Sequence, residues 1–239
     1  MPKRKSAKKS PRFKWLVAGL FVVLSVVWIK SPFSPMPNPG WVEFKQLKSQ
    51  DGILDVTLKA EKSLVSIGGQ EATASMVYNG QYLGDTWVVR GGDTIKVHLQ
   101  NRLDQPTNLH FHGSHVSPKG NSDNVLLNVK PGEDFEYEYK LPEDHPPGLY
   151  WYHPHLHKFV DDQVNGGMAG AIIVRGDVDE LPELKGVSEK QLVLTTHDPN
   201  NSNEVVRLVN NQKTPLFISD RLKQSDCNSI TSRLMIFIT

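Results

Sequence analysis

Six of the nine histidines fall in two short windows, His110, His112 and His115 in one and His153, His155 and His157 in the other. In a β-strand residues i and i+2 point to the same face, so the pairs His110/His112 and His153/His155 each set two imidazoles side by side. The flanking residues are apolar and aromatic: Leu109 and Phe111 around the first pair, Tyr150, Trp151 and Tyr152 before the second. Unpaired imidazoles are costly to bury among such neighbours. A metal ion shared by the two pairs removes that cost. Neutral imidazole suits copper, zinc, iron and nickel alike, so the ligand type alone leaves the metal open.

The other histidines read differently. His98 lies on the polar side of an alternating stretch and is read as solvated. His145 falls in the turn-like Pro142-Glu143-Asp144-His145-Pro146, and His197 precedes Asp198-Pro199 in what reads as a loop.

Four segments, in this order, carry a resemblance: Gly91-Gly92-Asp93-Thr94-Ile95-Lys96-Val97-His98-Leu99-Gln100-Asn101; Asn108-Leu109-His110-Phe111-His112-Gly113; Gly148-Leu149-Tyr150-Trp151-Tyr152-His153-Pro154-His155; and Gln163-Val164-Asn165-Gly166-Gly167-Met168-Ala169-Gly170-Ala171-Ile172-Ile173-Val174. Together they resemble the amino-terminal cupredoxin domain of multicopper oxidases, the laccase and ascorbate-oxidase family, over roughly residues 50–175, with a weaker continuation to about 218. The resemblance implies copper, with His110 serving a type 2 site and His112, His153 and His155 a type 3 pair. His115 and His157 then stand beside the ligands or toward substrate. Asp123 matches an acidic residue that assists proton delivery to oxygen; read on its own, it fits an Asx-turn in a loop equally well. Trp151 and Tyr152 read as core aromatics that buttress the ligand strand. The implied activity oxidises a reducing substrate one electron at a time and reduces dioxygen to water.

The chain departs from the family pattern in three places. Relatives with His-x-His-Leu-His usually continue with Gly, and here Lys158 follows His157. Three coppers need on the order of eight histidines, and the right motifs supply four. The family's carboxy-terminal motifs, His-x-x-His-x-His and His-Cys-His-x-x-x-His, do not occur in these residues, and Cys227, the only cysteine, has no flanking histidine. It is therefore not a type 1 copper thiolate, and one cysteine forms no internal disulfide. From about Arg221 the strand-and-turn grammar is lost. This reads as a truncation, through a frameshift for instance, and the alternative is a short protein that pairs with a separate carboxy-terminal cupredoxin chain.

Two other functions fit parts of the same pattern. A non-enzymatic copper-binding or interaction fragment, inactive without a carboxy-terminal domain, fits the same histidines. A zinc hydrolase is the remote alternative, because His110-Phe111-His112-Gly113-Ser114-His115 resembles the metallo-β-lactamase motif with Ser114 in place of the acid; that fold needs helical layers for which no pattern exists.

The elements that must position the histidines read as strands. Leu54, Val56 and Leu58 alternate with Asp55, Thr57 and Lys59; Ile95, Val97 and Leu99 with Lys96, His98 and Gln100; Phe135, Tyr137 and Tyr139 with Glu136, Glu138 and Lys140. Turn signals at Asn79-Gly80, Gly91-Gly92, Pro131-Gly132 and Pro146-Pro147-Gly148 separate them, and no long helical pattern follows residue 40. The expectation is an all-β, cupredoxin-like Greek-key sandwich of antiparallel strands.

Ahead of it, seven of the 27 lysines and arginines crowd the first fourteen residues, so the formal net charge of +1 hides a mildly acidic body. That excludes a nucleic-acid surface. The apolar run Trp15 to Ile29 spans about 22 Å as a helix, short of the roughly 30 Å of a bilayer core. It reads as an export signal or a signal anchor, with the periplasmic or extracellular side as the destination of the rest and a transmembrane helix as the anchored form. The expected organisation is residues 1–30 basic region and signal, 31–48 proline-rich linker, 49–178 cupredoxin (plastocyanin-like) domain, and 179–239 the truncated start of a second cupredoxin domain.

Overall fold

The computed structural model describes residues 42–185, 189–198, 205–213 and 233–238. The apolar segment 15–29, most of the proline-rich linker and Cys227 lie outside the described residues. Among the described residues no helix is long and apolar enough to cross a membrane.

The strands in chain order are β1 (Gln46–Lys48), β2 (Ile53–Val65), β3 (Thr73–Tyr78), β4 (Thr86–Arg90), β5 (Thr94–Asn101), β6 (His110–His112), β7 (Asp134–Lys140), β8 (Gly148–His153), β9 (Gly170–Arg175), β10 (Glu189–His197), β11 (Val206–Val209) and β12 (Arg233–Ile238). They form a four-stranded sheet, β3-β2-β5-β7, a five-stranded sheet, β1-β4-β9-β8-β6, and a three-stranded sheet, β11-β10-β12. β1 lies at the end of the stretch read as linker.

The period-two pattern now has a cause. Leu54, Val56 and Leu58 of β2 and Ile95, Val97 and Leu99 of β5 share one core with Trp87 and Val89 of β4, Phe111 of β6 and Ile172 and Val174 of β9. Each fully buried side chain of this size contributes roughly 1.5–3 kcal/mol. Aromatic stacking joins the two sheets where Phe111 lies on Tyr139 at 3.6 Å between ring centroids, and within the five-stranded sheet Trp87 stacks on Tyr152 at 3.9 Å. A second core, with Tyr82, Leu83, Ala169 and Ala171, takes in Val193 of β10 and Leu208 of β11. Strands β10 and β11 therefore share buried surface with the first sandwich.

The sandwich is as expected, but its strands are not all antiparallel. β1 with β4, β4 with β9 and β2 with β5 run parallel, while β2 with β3, β5 with β7, β6 with β8 and β8 with β9 run antiparallel. Alternation reports which face of a strand is buried and carries no direction. Between β2 and β5 the chain turns through β3 and visits β4 in the opposite sheet, so the two meet by a crossover, which permits parallel pairing where a hairpin forbids it.

One helix, α1 (Val160–Gly166), interrupts the β pattern between β8 and β9 and closes on Gly167 at φ 113°. Lys158, in the turn ahead of it, has φ 76°. A left-handed conformation costs an L-residue roughly 1–2 kcal/mol that glycine does not pay, which explains why the resemblance expects glycine here. Lys158→Gly is expected to raise unfolding stability by about 0.5–1 kcal/mol, the gain reduced by glycine's freer unfolded chain. Urea unfolding checks it, and a loss of stability would contradict the strain.

Candidate metal centre

β6 consists of only three residues, and it pairs with β8 so that His110 stands opposite His153 and His112 opposite Trp151. Phe111 and Tyr152 point into the core. By strand alternation His110, His112, Trp151 and His153 all project to the other face of the five-stranded sheet, at its β6 edge. One nitrogen from each of His110, His112 and His153 lies within 4.8 Å of the others. His155 adds a fourth ring, 5.0 Å from that of His110 and 5.9 Å from that of His153. The two pairs read from the sequence therefore do meet.

They meet by a different route from the one expected for the second pair. β8 ends at His153, and Pro154 has no N–H to continue the ladder. His155 is therefore not a strand residue with its neighbour's geometry. Its backbone N–H donates to Asn108 Oδ1 at 2.7 Å, which brings its exposed side chain back beside His110.

Each inner imidazole has one nitrogen engaged. His110 Nδ1 lies 2.8 Å from Asp123 Oδ1, and the same oxygen accepts the Phe111 N–H at 2.9 Å. A carboxylate at Nδ1 fixes the tautomer and leaves the other nitrogen bare for a metal. His153 Nδ1 donates to Pro154 O at 2.7 Å, and its Nε2 is buried with no hydrogen-bond partner. Such an orphan costs about 1–3 kcal/mol unless something binds it. Burial pushes the His153 pKa down to about 3, with His110, His112 and His155 adding to the depression against the Pro154 carbonyl. His112 is lowered too, by burial first and then by His110 and His155. The rings are held neutral, the form that ligates. Trp151 lies flat on His153 at 3.9 Å and stacks on His112 at 5.1 Å, so one indole orients two rings of the cluster.

The remaining histidines divide as follows. His98 Nδ1 is hydrogen-bonded to Glu136 and its Nε2 lies 3.6 Å from Asp134 Oδ2, on the outer face of its sheet, so it is not simply solvated. His145 closes the expected turn, its N–H donating to Pro142 O at 3.1 Å, and it is buried there. Its Nε2 accepts the His115 backbone N–H at 3.1 Å and its Nδ1 meets Pro146 O at 3.1 Å, so it ties two loops together and has no nitrogen to spare. His197 is the buried last residue of β10, not a loop residue, and its Nδ1 contacts Asn165 O at 3.0 Å. His157 and Lys158 are exposed beside the cluster. Asn108, which sequence reasoning passed over, was visible only as a lone polar residue two places before His110. The zinc-hydrolase reading falls, since the described residues build a β-sandwich where that fold needs helical layers.

A family model described as multicopper oxidase matches residues 59–179. The multicopper oxidase of Staphylococcus haemolyticus is 32% identical over 127 residues, covering 53% of this chain and 28% of the relative. A multicopper oxidase of Mycobacterium tuberculosis is 31% identical over 157 residues, covering 60% and 30%. Among solved structures, a metallo-oxidase of Campylobacter jejuni aligns with a TM-score of 0.60 at 25% identity, covering 74% of this chain and 40% of its own. The chain spans less than a third of the length of these two curated relatives.

Proposed function

The chain belongs to the multicopper oxidase family, and from that premise we propose that its histidine cluster is half of a trinuclear copper site. His110 would serve the type 2 position and His112, His153 and His155 the type 3 pair. The observation that carries the reading is the buried, partnerless His153 Nε2 facing three further imidazoles. Four imidazoles with no carboxylate among the proposed ligands suit copper.

Bound copper supplies the one-electron steps and the reduction of dioxygen to water. The chain's own residues hold the ligands and manage protons. Asp123 Oδ1 lies 2.8 Å from His110 Nδ1 and would orient that ring, and the other oxygen of this 12% exposed carboxylate would carry a proton between solvent and the cluster. Trp151 keeps the rings of His112 and His153 from rotating. The reducing substrate and the type 1 copper belong to motifs these residues do not contain, and a separate cupredoxin chain or a further domain would complete the site.

Copper titration of the 239-residue chain, alone and joined to a relative's carboxy-terminal cupredoxin domain, tests the reading. Alone, it is expected to bind copper weakly and incompletely, with no blue absorption and no oxygen uptake. Joined, both should appear. Full copper loading with oxygen reduction by the chain alone would refute the half-site, and no copper binding in either form would refute the site itself.

A further inference from the structure

Asn108 is fully buried, and its amide spends every useful hydrogen bond on the backbone around the cluster. Nδ2 donates to Val125 O at 2.9 Å and Leu127 O at 3.2 Å, and Oδ1 accepts the His155 N–H at 2.7 Å. One side chain thus joins three segments that are remote in sequence: the lead-in to His110 and His112, the loop that follows Asp123, and the turn that carries His155. We propose that Asn108 is the positioning residue that sets His155 against the other three imidazoles, a role that rests on the copper reading above.

The argument turns on what else could place His155. Its partners His110 and His153 are held by strand pairing, by Asp123 and by the Pro154 carbonyl. His155 stands after the ladder has stopped, with an exposed side chain. Pro154 restricts only its own φ and the conformation of His153 before it. The hydrogen bond to Asn108 is what fixes the His155 backbone, and a shift of an ångström there moves a ligand nitrogen out of range. The two Nδ2 bonds matter as much, because they prevent the amide from flipping and presenting its NH2 to the His155 N–H.

Asn101 provides a matched control. It is also fully buried, donates from Nδ2 to Gln105 O and Val129 O at 3.0 and 2.9 Å, and accepts the Leu103 N–H at 3.0 Å. The two amides do the same structural work, and only Asn108 reaches a histidine. Asn108→Ala and Asn101→Ala in the 239-residue chain are therefore expected to lose comparable stability to urea. Copper affinity, measured with the metal alone against a competing chelator, should fall roughly 10–100-fold in Asn108→Ala and stay within about twofold in Asn101→Ala. Equal effects of the two variants on affinity, or none from Asn108→Ala, would overturn the proposal. Hydrogen exchange on the unaltered chain gives a second reading that needs no variant to fold. The His155 amide should be protected despite its exposed side chain, and exchange at the rate of a free peptide would overturn the proposal as well. Copper binding absent from the unaltered chain, with His155 protected, would instead sink the copper reading and take this role with it.

Discussion

His153→Phe is expected to lower copper affinity by more than 100-fold while leaving the metal-free fold about as stable as before. The unaltered imidazole is badly placed for stability. Its Nε2 is buried without a partner, at a cost of about 1–3 kcal/mol. Burial and three neighbouring imidazoles hold it neutral, so no ion pair repays that cost. Phenylalanine keeps an aromatic ring of similar size against Trp151, which now stacks on His153 at 3.9 Å. It removes the orphan nitrogen and gives up one hydrogen bond to Pro154 O, worth about 1 kcal/mol. The two changes nearly cancel, so urea unfolding of the metal-free protein should move by no more than about 1 kcal/mol in either direction. Copper, on the proposed reading, would lose the ligand at the centre of the cluster. A variant that unfolds by several kcal/mol would show that His153 is a structural residue, and one that keeps its copper would remove it from the ligand set.

What the sequence disclosed about this site, and what it withheld, follows from the range of each interaction. The period-two pattern of β2, β5 and β7 reports burial face directly, because a strand repeats every two residues whatever it pairs with. The same logic put His110 beside His112. Strand direction was not legible: the β2 with β5 pairing depends on where the chain goes in between, and hydrophobic alternation has no term for that. The His153/His155 pair shows the limit within a single motif. Its spacing matches that of the first pair, yet Pro154 ends the strand and a side chain 47 residues away holds the second histidine. His145 shows the same division: the turn its sequence neighbours indicate is there, its N–H donating to Pro142 O, but its burial comes from His115 and Tyr150, which only the fold brings to it.

Gly170→Ala is expected to destabilise the protein by about 3 kcal/mol, at the upper end for overpacking, although it adds a single methyl group in a strand. A Cβ at this position would sit 2.2 Å from both Cζ and Oη of Tyr152. The ring has nowhere to go. It is fully buried, stacks on Trp87 at 3.9 Å, and its hydroxyl donates to Asp85 O at 2.8 Å. Gly84 closes the other side, where a Cβ would come within 2.3 Å of the same hydroxyl. Relief must come from the backbone of β8, whose next residue is His153, so the clash would also displace a proposed ligand. Copper affinity should therefore fall together with stability, in contrast to His153→Phe, where the two separate. A double-mutant cycle identifies the cause: Tyr152→Leu alone should cost about 3 kcal/mol through the cavity it leaves. The Gly170→Ala/Tyr152→Leu pair should cost at least 1 kcal/mol less than the sum, because the methyl group then enters that cavity. Additive costs in urea unfolding would mean that β8 is held at its place by something other than the packing of Tyr152 against Gly170.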